Sequence, residues 1–159
     1  MAIGWSSLIC NPSDESVQQL GTSWGWLIRE PFVPVLFTAL GDVFFQPDSG
    51  GIWWLNTGTA QVTGVAESVE QFRELLDTEI VDEWFLPELI EQLHEAGKLP
   101  EIGECYTYVT LPILEEGKYE VGNLNPVPAY EHFALTGDIH CEILSRSLEK
   151  KAEQGGEQA

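Results

Sequence analysis

The sequence predicts an α+β fold: an antiparallel β-meander packed against helices, in one domain over residues 1–148 with a disordered tail at 149–159. Three observations lead there. Short β-rich runs alternate with turn residues across 35–66, apolar residues recur at helical spacing across 69–96, and the whole is long enough for a core. A 159-residue chain buries roughly 68–70% of its unfolded surface. Six Trp, seven Phe and 43% apolar residues set it apart from disordered acidic chains, which are poor in aromatics.

Along the chain, Asn11-Pro12-Ser13-Asp14-Glu15 is a helix-start signal. Ser13 caps free N–H groups, and Asp14 and Glu15 sit at the positive end of the helix dipole. This helix is expected to end near Gly21, with a turn at Gly25 between Trp24 and Trp26. Pro31 and Pro34 exclude helix from the next segment. Val35–Phe37, Asp42–Phe45, Ile52–Leu55 and Gln61–Val65 then read as strands. Gly41, the run 46–51 and the run 56–59 supply their turns. Trp53 and Trp54 must face opposite sides of one strand, so at least one belongs to the core.

Glu67-Ser68 leads into a helix carrying Val69, Phe72, Leu75 and Leu76 on one face. A proline inside a helix costs roughly 3 kcal/mol or more, whereas one in the first turn fits. Pro87 therefore divides the next stretch into a piece at Glu79–Phe85 and a helix that ends before Gly97, with Leu89, Ile90 and Leu93 inward. Cys105–Leu111 alternates as a strand, and 112–128 reads as a loop rich in Gly and Pro. Residues 132–143 fit two periods. Phe133, Leu135, Gly137, Ile139, Cys141 and Ile143 alternate with polar residues, while Leu135, Ile139 and Ile143 also suit a helix. The alternation favours a strand.

The charge is the most informative bulk property. Twenty-six acids against seven bases give a formal net charge of −19. Such a surface disfavours phosphate backbones and anionic lipid, so neither direct nucleic-acid nor membrane binding is expected. It speeds encounter with a basic partner, and it also serves solubility. Residues 61–120 hold fifteen acids and three bases, which is −12 of the −19. That concentration favours a partner surface.

Chemistry-bearing motifs are sparse. Cys10, Cys105 and Cys141 are widely separated and form no CxxC pair, as expected of reduced thiols in a cytoplasmic protein. The N-terminus lacks a basic signal-peptide region, and no stretch approaches the ~20 apolar residues of a membrane span. His132 and His140, if on a strand, lie about 26 Å apart at roughly 3.3 Å per residue, too far for one metal. His140 beside Cys141 points away from it on a strand, so it does not activate that thiol. No catalytic residue, cofactor or metal site is expected. The one suggestive constellation is Val81-Asp82-Glu83-Trp84-Phe85-Leu86-Pro87-Glu88, continued by Glu91 and Glu95. An exposed Trp84 ringed by Glu88, Glu91 and Glu95 suits capture of a basic surface, the aromatic as hot spot and the carboxylates as steering charges. The alternative is a core Trp84 beneath an ordinary solvated acidic face. Glu101, Glu104, Glu115 and Glu116 are the next candidates.

Several ordered motifs resemble a known family. They are Ala39-Leu40-Gly41-Asp42-Val43-Phe44-Phe45, Gly50–Thr59 with its Ile52-Trp53-Trp54-Leu55-Asn56-Thr57-Gly58 run, and Val65-Ala66-Glu67-Ser68. Asp82–Leu89, Gly103-Glu104-Cys105-Tyr106 and Gly137-Asp138-Ile139-His140 come next in the same order. Over roughly residues 35–145 the chain resembles the C-terminal domain of bacterial type VI secretion DNase immunity proteins. The resemblance implies a binding protein that neutralises a cognate toxin, in some members a DNA-cleaving effector, by occluding its active surface. Family members often carry an N-terminal GAD-like domain, for which 159 residues leave no room. The rival classes are a small metal-dependent enzyme using His132 or His140 with nearby carboxylates, and a scaffold or regulatory module.

Overall fold

The computed structural model describes residues 4–157. A five-stranded antiparallel sheet runs in the order β1 (Ile9–Cys10), β2 (Phe32–Thr38), β3 (Val43–Pro47), β4 (Ile52–Asn56), β5 (Gln61–Ala66). The helices are α1 (Trp5–Leu8), α2 (Asp14–Trp24), α3 (Val69–Leu75), α4 (Ile80–Phe85), α5 (Pro87–Glu95) and α6 (Ala129–Glu157). A second, two-stranded antiparallel sheet pairs β6 (Glu104–Tyr108) with β7 (Leu124–Pro128). The Tyr106 N–H donates to the Ala39 carbonyl (2.8 Å) and ties this pair to the main sheet. The α+β meander expected from the sequence is present.

The central strand β3 explains the layering. Val43, Phe44 and Phe45 are all at most 2% exposed, yet neighbours on a strand face opposite ways. Phe44 joins Ile52, Phe72, Trp84, Phe85 and Ile90 in one core cluster, supplied by α3, α4 and α5. Val43 and Phe45 join Leu20, Trp24, Leu55 and Phe133 in another, supplied by α2 and α6. Both faces of the sheet are thereby covered by helices. Trp54 turns to the first cluster, with its ring 6.4 Å from Trp84, whereas Trp53 stays 37% exposed on the other side.

Local signals operate as the residues predict at most boundaries. Ser13 caps α2 by accepting from the Ser16 N–H, and Ser68 caps α3 by accepting from the Gln71 N–H. Pro87 is the first residue of α5, and Leu86 before it takes a left-handed conformation (φ 48°) that ends α4. Gly97 (φ 79°) lies just past the end of α5.

Three expectations are corrected. The α2 helix does not stop at Gly21 but continues to Trp24, because Leu20 and Trp24, four residues apart, are both fully buried; packing overrides the glycine penalty. Residues 124–128 are strand, not loop: Pro126 and Pro128 lack N–H donors, but β7 pairs only with β6 and so tolerates them. Residues 132–143 are helix, not strand. The buried positions are Ala129, His132, Phe133, Thr136 and His140, a 3–4–7 repeat disguised because polar side chains occupy much of it. The α6 helix is drawn to Glu157, and residues 158 and 159 lie outside the described residues. Among the described residues no helix is long and apolar enough to cross a membrane.

Candidate partner-binding face and the network behind it

The α4–α5 segment carries the residues singled out from the sequence. Trp84 is 5% exposed, its ring stacked 5.9 Å from Phe72 and tilted 5.0 Å from Phe44. It is a core ring rather than an exposed anchor, as the amphipathic period of a six-residue helix over a sheet requires. Glu88 and Glu95 are exposed and Glu91 is half-buried, all on α5. An open groove of about 460 Å³ runs beside them, lined by Asp82, Leu86, Pro87, Glu88, Leu89, Gln92 and Tyr119. Its aromatic surface therefore comes from Tyr119, 39% exposed, and not from Trp84. Glu115 and Glu116 are exposed on the loop before Tyr119. Glu101 is exposed too, but Glu104 is half-buried and accepts the Glu101 N–H (2.8 Å), which closes a local turn.

The histidines lie elsewhere, on the inner side of α6. Eight residues on a helix rise only about 12 Å, so His132 and His140 converge where a strand would hold them apart. Both meet Thr57. His132 Nε2 is 2.9 Å from the Thr57 hydroxyl, and His140 Nε2 is 2.9 Å from the Thr57 carbonyl. Asp42 completes the network, accepting the Thr57 N–H (3.0 Å) and hydroxyl (3.2 Å) at Oδ1 and the Trp54 indole N–H (3.2 Å) at Oδ2. The Gly41 carbonyl, 3.2 Å from His132 Nε2, can only accept. The ring is thus the neutral tautomer protonated at Nε2, and Nδ1 accepts from the Thr107 hydroxyl (2.8 Å).

Burial controls the titration of this network. It pushes Asp42 up to about 7, against the bonds from Thr57 and Trp54 that favour the carboxylate. It pushes His132 down to about 4, opposed by the Gly41 carbonyl, and it lowers His140 as well. Gly41 is indispensable to the geometry: at φ 81°, a Cβ there would overlap the His132 ring at Nε2. Asp42, Thr57 and His132 are at most 3% exposed, so no solute reaches them directly. A relay of this shape holds the fold together; it presents no reactive group to a substrate. Among the described residues no group of three His, Cys, Asp or Glu side chains is arranged to hold a metal ion. Cys10 and Cys105 are buried free thiols, and Cys141 is a half-buried one.

Sequence reasoning missed this network because its members come from 41–42, 54–57, 107 and 132–140. The available signal was that Gly41-Asp42, Asn56-Thr57-Gly58 and Gly137–His140 are all motifs of the resemblance. Those motifs are the parts that touch one another.

No curated protein matches the chain. A solved structure, the crystal structure of Atu4351 from Agrobacterium tumefaciens, superposes with a TM-score of 0.51 at 17% identity, covering 82% of this chain. This chain spans 65% of the length of that one, and at such identity the likeness shows the fold alone. The family the sequence resembles is the one that residues 66–140 match directly: T6SS immunity protein Tdi1, C-terminal.

Proposed function

We propose that this chain is an immunity-type protein that binds a cognate type VI secretion effector in the cytoplasm and occludes its active surface, with no catalysis of its own. The effector is a basic, nuclease-like protein. One coincidence supports the reading: the family-matched stretch 66–140 spans nearly all of the acidic middle third and every residue of the groove beside α5. Carboxylates along α4, α5 and the 115–116 loop steer a cationic surface toward that groove and raise its association rate. Glu88, Glu91 and Glu95 are contacts of this surface, with Trp84 supporting them from the core.

Co-purification with the product of the neighbouring effector gene, followed by a nuclease assay on the complex, tests the reading. Tight binding with loss of nuclease activity is expected, as is protection of cells that express the effector. An adjacent effector that neither binds nor is neutralised would overturn it.

A further inference from the structure

The outer side of α6 holds a feature the acidic groove does not explain. Leu135 and Ile139 project from it 53% and 41% exposed, opposite Val109 (68%) and Leu114 (47%) on the segment after β6. Between them runs a groove of about 390 Å³ lined by Val109, Leu111, Leu114, Leu135, Thr136 and Ile139 among others. Two of its three threonine hydroxyls are engaged inward: Thr107 with His132 Nδ1 (2.8 Å), and Thr136 donating to the His132 carbonyl (2.6 Å). Val109, Leu111, Leu114, Leu135 and Ile139 make up most of the lining, which suits an apolar side chain.

The facing wall is preformed. Asn123 accepts the Thr110 N–H (2.8 Å) and donates to the carbonyls of Thr110 (2.9 Å) and Lys118 (2.8 Å). The Ile113 N–H donates to the Gly58 carbonyl (3.2 Å). Little ordering is left for a binding event to impose on this wall, which favours tight association.

The rim is acidic. Glu115 and Glu116 come directly after Leu114, and Glu131, Asp138 and Glu142 sit three or four residues from Leu135 or Ile139, on the same side of the helix. Arg146, the basic residue nearest them on α6, is paired with Glu142 (2.6 Å). The two grooves are linked by a ring contact: Tyr108 lines this one and packs edge-on against Tyr119 of the first, with centroids 5.9 Å apart.

We infer that this apolar groove is the hot spot of the partner face, and that it takes an apolar side chain flanked by Lys or Arg on the effector. The inference rests on the immunity reading and locates its energy. An apolar centre within a charged rim is the usual anatomy of a tight interface. A second copy of this chain is the poorer occupant, because each copy would bring a net charge of −19 and the same acidic rim.

The test measures binding of the neighbouring gene's effector to the full chain and to the Leu135→Asp/Ile139→Asp variant, with thermal melting as the control for folding. The expected result is a loss of about 100-fold or more in affinity with melting unchanged. Should that variant fold poorly, Val109→Asp on the opposite wall carries the same expectation. If the wild-type chain binds and inhibits while both variants bind within about threefold of it, the groove is not the hot spot and the immunity reading stands. If the wild type binds no effector, both fall. A wild-type dimer in sedimentation that Leu135→Asp/Ile139→Asp dissociates would assign the groove to a second copy and overturn the inference.

Discussion

The two sides of α6 invert the usual pattern. The inner side presents His132, Thr136, Gly137 and His140 along with Phe133, all buried, whereas the outer side presents Leu135 and Ile139 to solvent. Polar groups are tolerated inside because each finds a partner: Thr57, Gly41 and Thr107 for His132, the His132 carbonyl for Thr136, and Thr57 for His140. Gly137 is inside for a different reason, since a Cβ there would stand 2.5 Å from the Ser23 carbonyl oxygen of α2. The inner side is thus committed to the fold by hydrogen bonding and close approach. The outer side leaves the apolar pair Leu135 and Ile139 exposed within a rim of Glu131, Asp138 and Glu142, an arrangement that suits a surface for another protein.

Substitutions on the inner side are expected to have the largest effects. Gly41→Ala forces a Cβ into His132 at a left-handed φ and should lower stability by about 3 kcal/mol or more, read from denaturant unfolding. A loss below about 1 kcal/mol would mean that His132 moves aside freely and that the network is not rigid.

The next effect is a pH dependence. Asp42 has a folded pKa of about 7 against an ordinary 3.8, so the stability it contributes at low pH is lost as pH rises between those values. His132 has a folded pKa of about 4 against 6.5, so its contribution is lost as pH falls through that window. The two slopes oppose each other. In Asp42→Asn the Asp42 slope vanishes, and stability should fall more steeply than in the wild type on acidification from pH 6.5 to 4. The difference should approach about 1.4 kcal/mol per pH unit. Parallel wild-type and variant profiles would show that Asp42 does not take up its proton on folding.

Outer-side changes should leave the fold nearly untouched. Leu135→Asp/Ile139→Asp is expected to shift stability by no more than about 0.5 kcal/mol per site, in contrast to Gly41→Ala, and a collapse of the melting transition would place those residues in the fold after all. Smallest of all, charge reversal of Glu88, Glu91 and Glu95 should weaken effector binding severalfold and flatten its dependence on salt. Unchanged affinity and salt dependence would move the steering charges to Glu115 and Glu116.

The same contrast explains what the sequence made legible. The meander could be read because Val35–Phe37, Asp42–Phe45, Ile52–Leu55 and Gln61–Val65 pair with chain neighbours across short turns, so local signals suffice. Ser13, Ser68 and Pro87 marked helix starts for the same reason. The period of α6 was hidden because its buried face is largely His, Thr and Gly, residues whose burial depends on partners tens of positions away. Of the proposed site, the acidic stretch along α5 could be read from the sequence, but Trp84 lies beneath it, and the exposed aromatic Tyr119 comes from a loop that no pattern singled out. The 109–114 wall became visible only once β6 and α6 were placed side by side.

Amide hydrogen exchange of the chain, free and in complex with the effector encoded beside it, puts the division of labour across α6 to the sharpest test. New protection is expected in the complex at 107–116 and 135–142, spreading to 82–92, while the Gly41–Thr57 network is already protected in the free chain. Unchanged exchange at 107–116 and 135–142, with protection gained on a different surface, would refute that division.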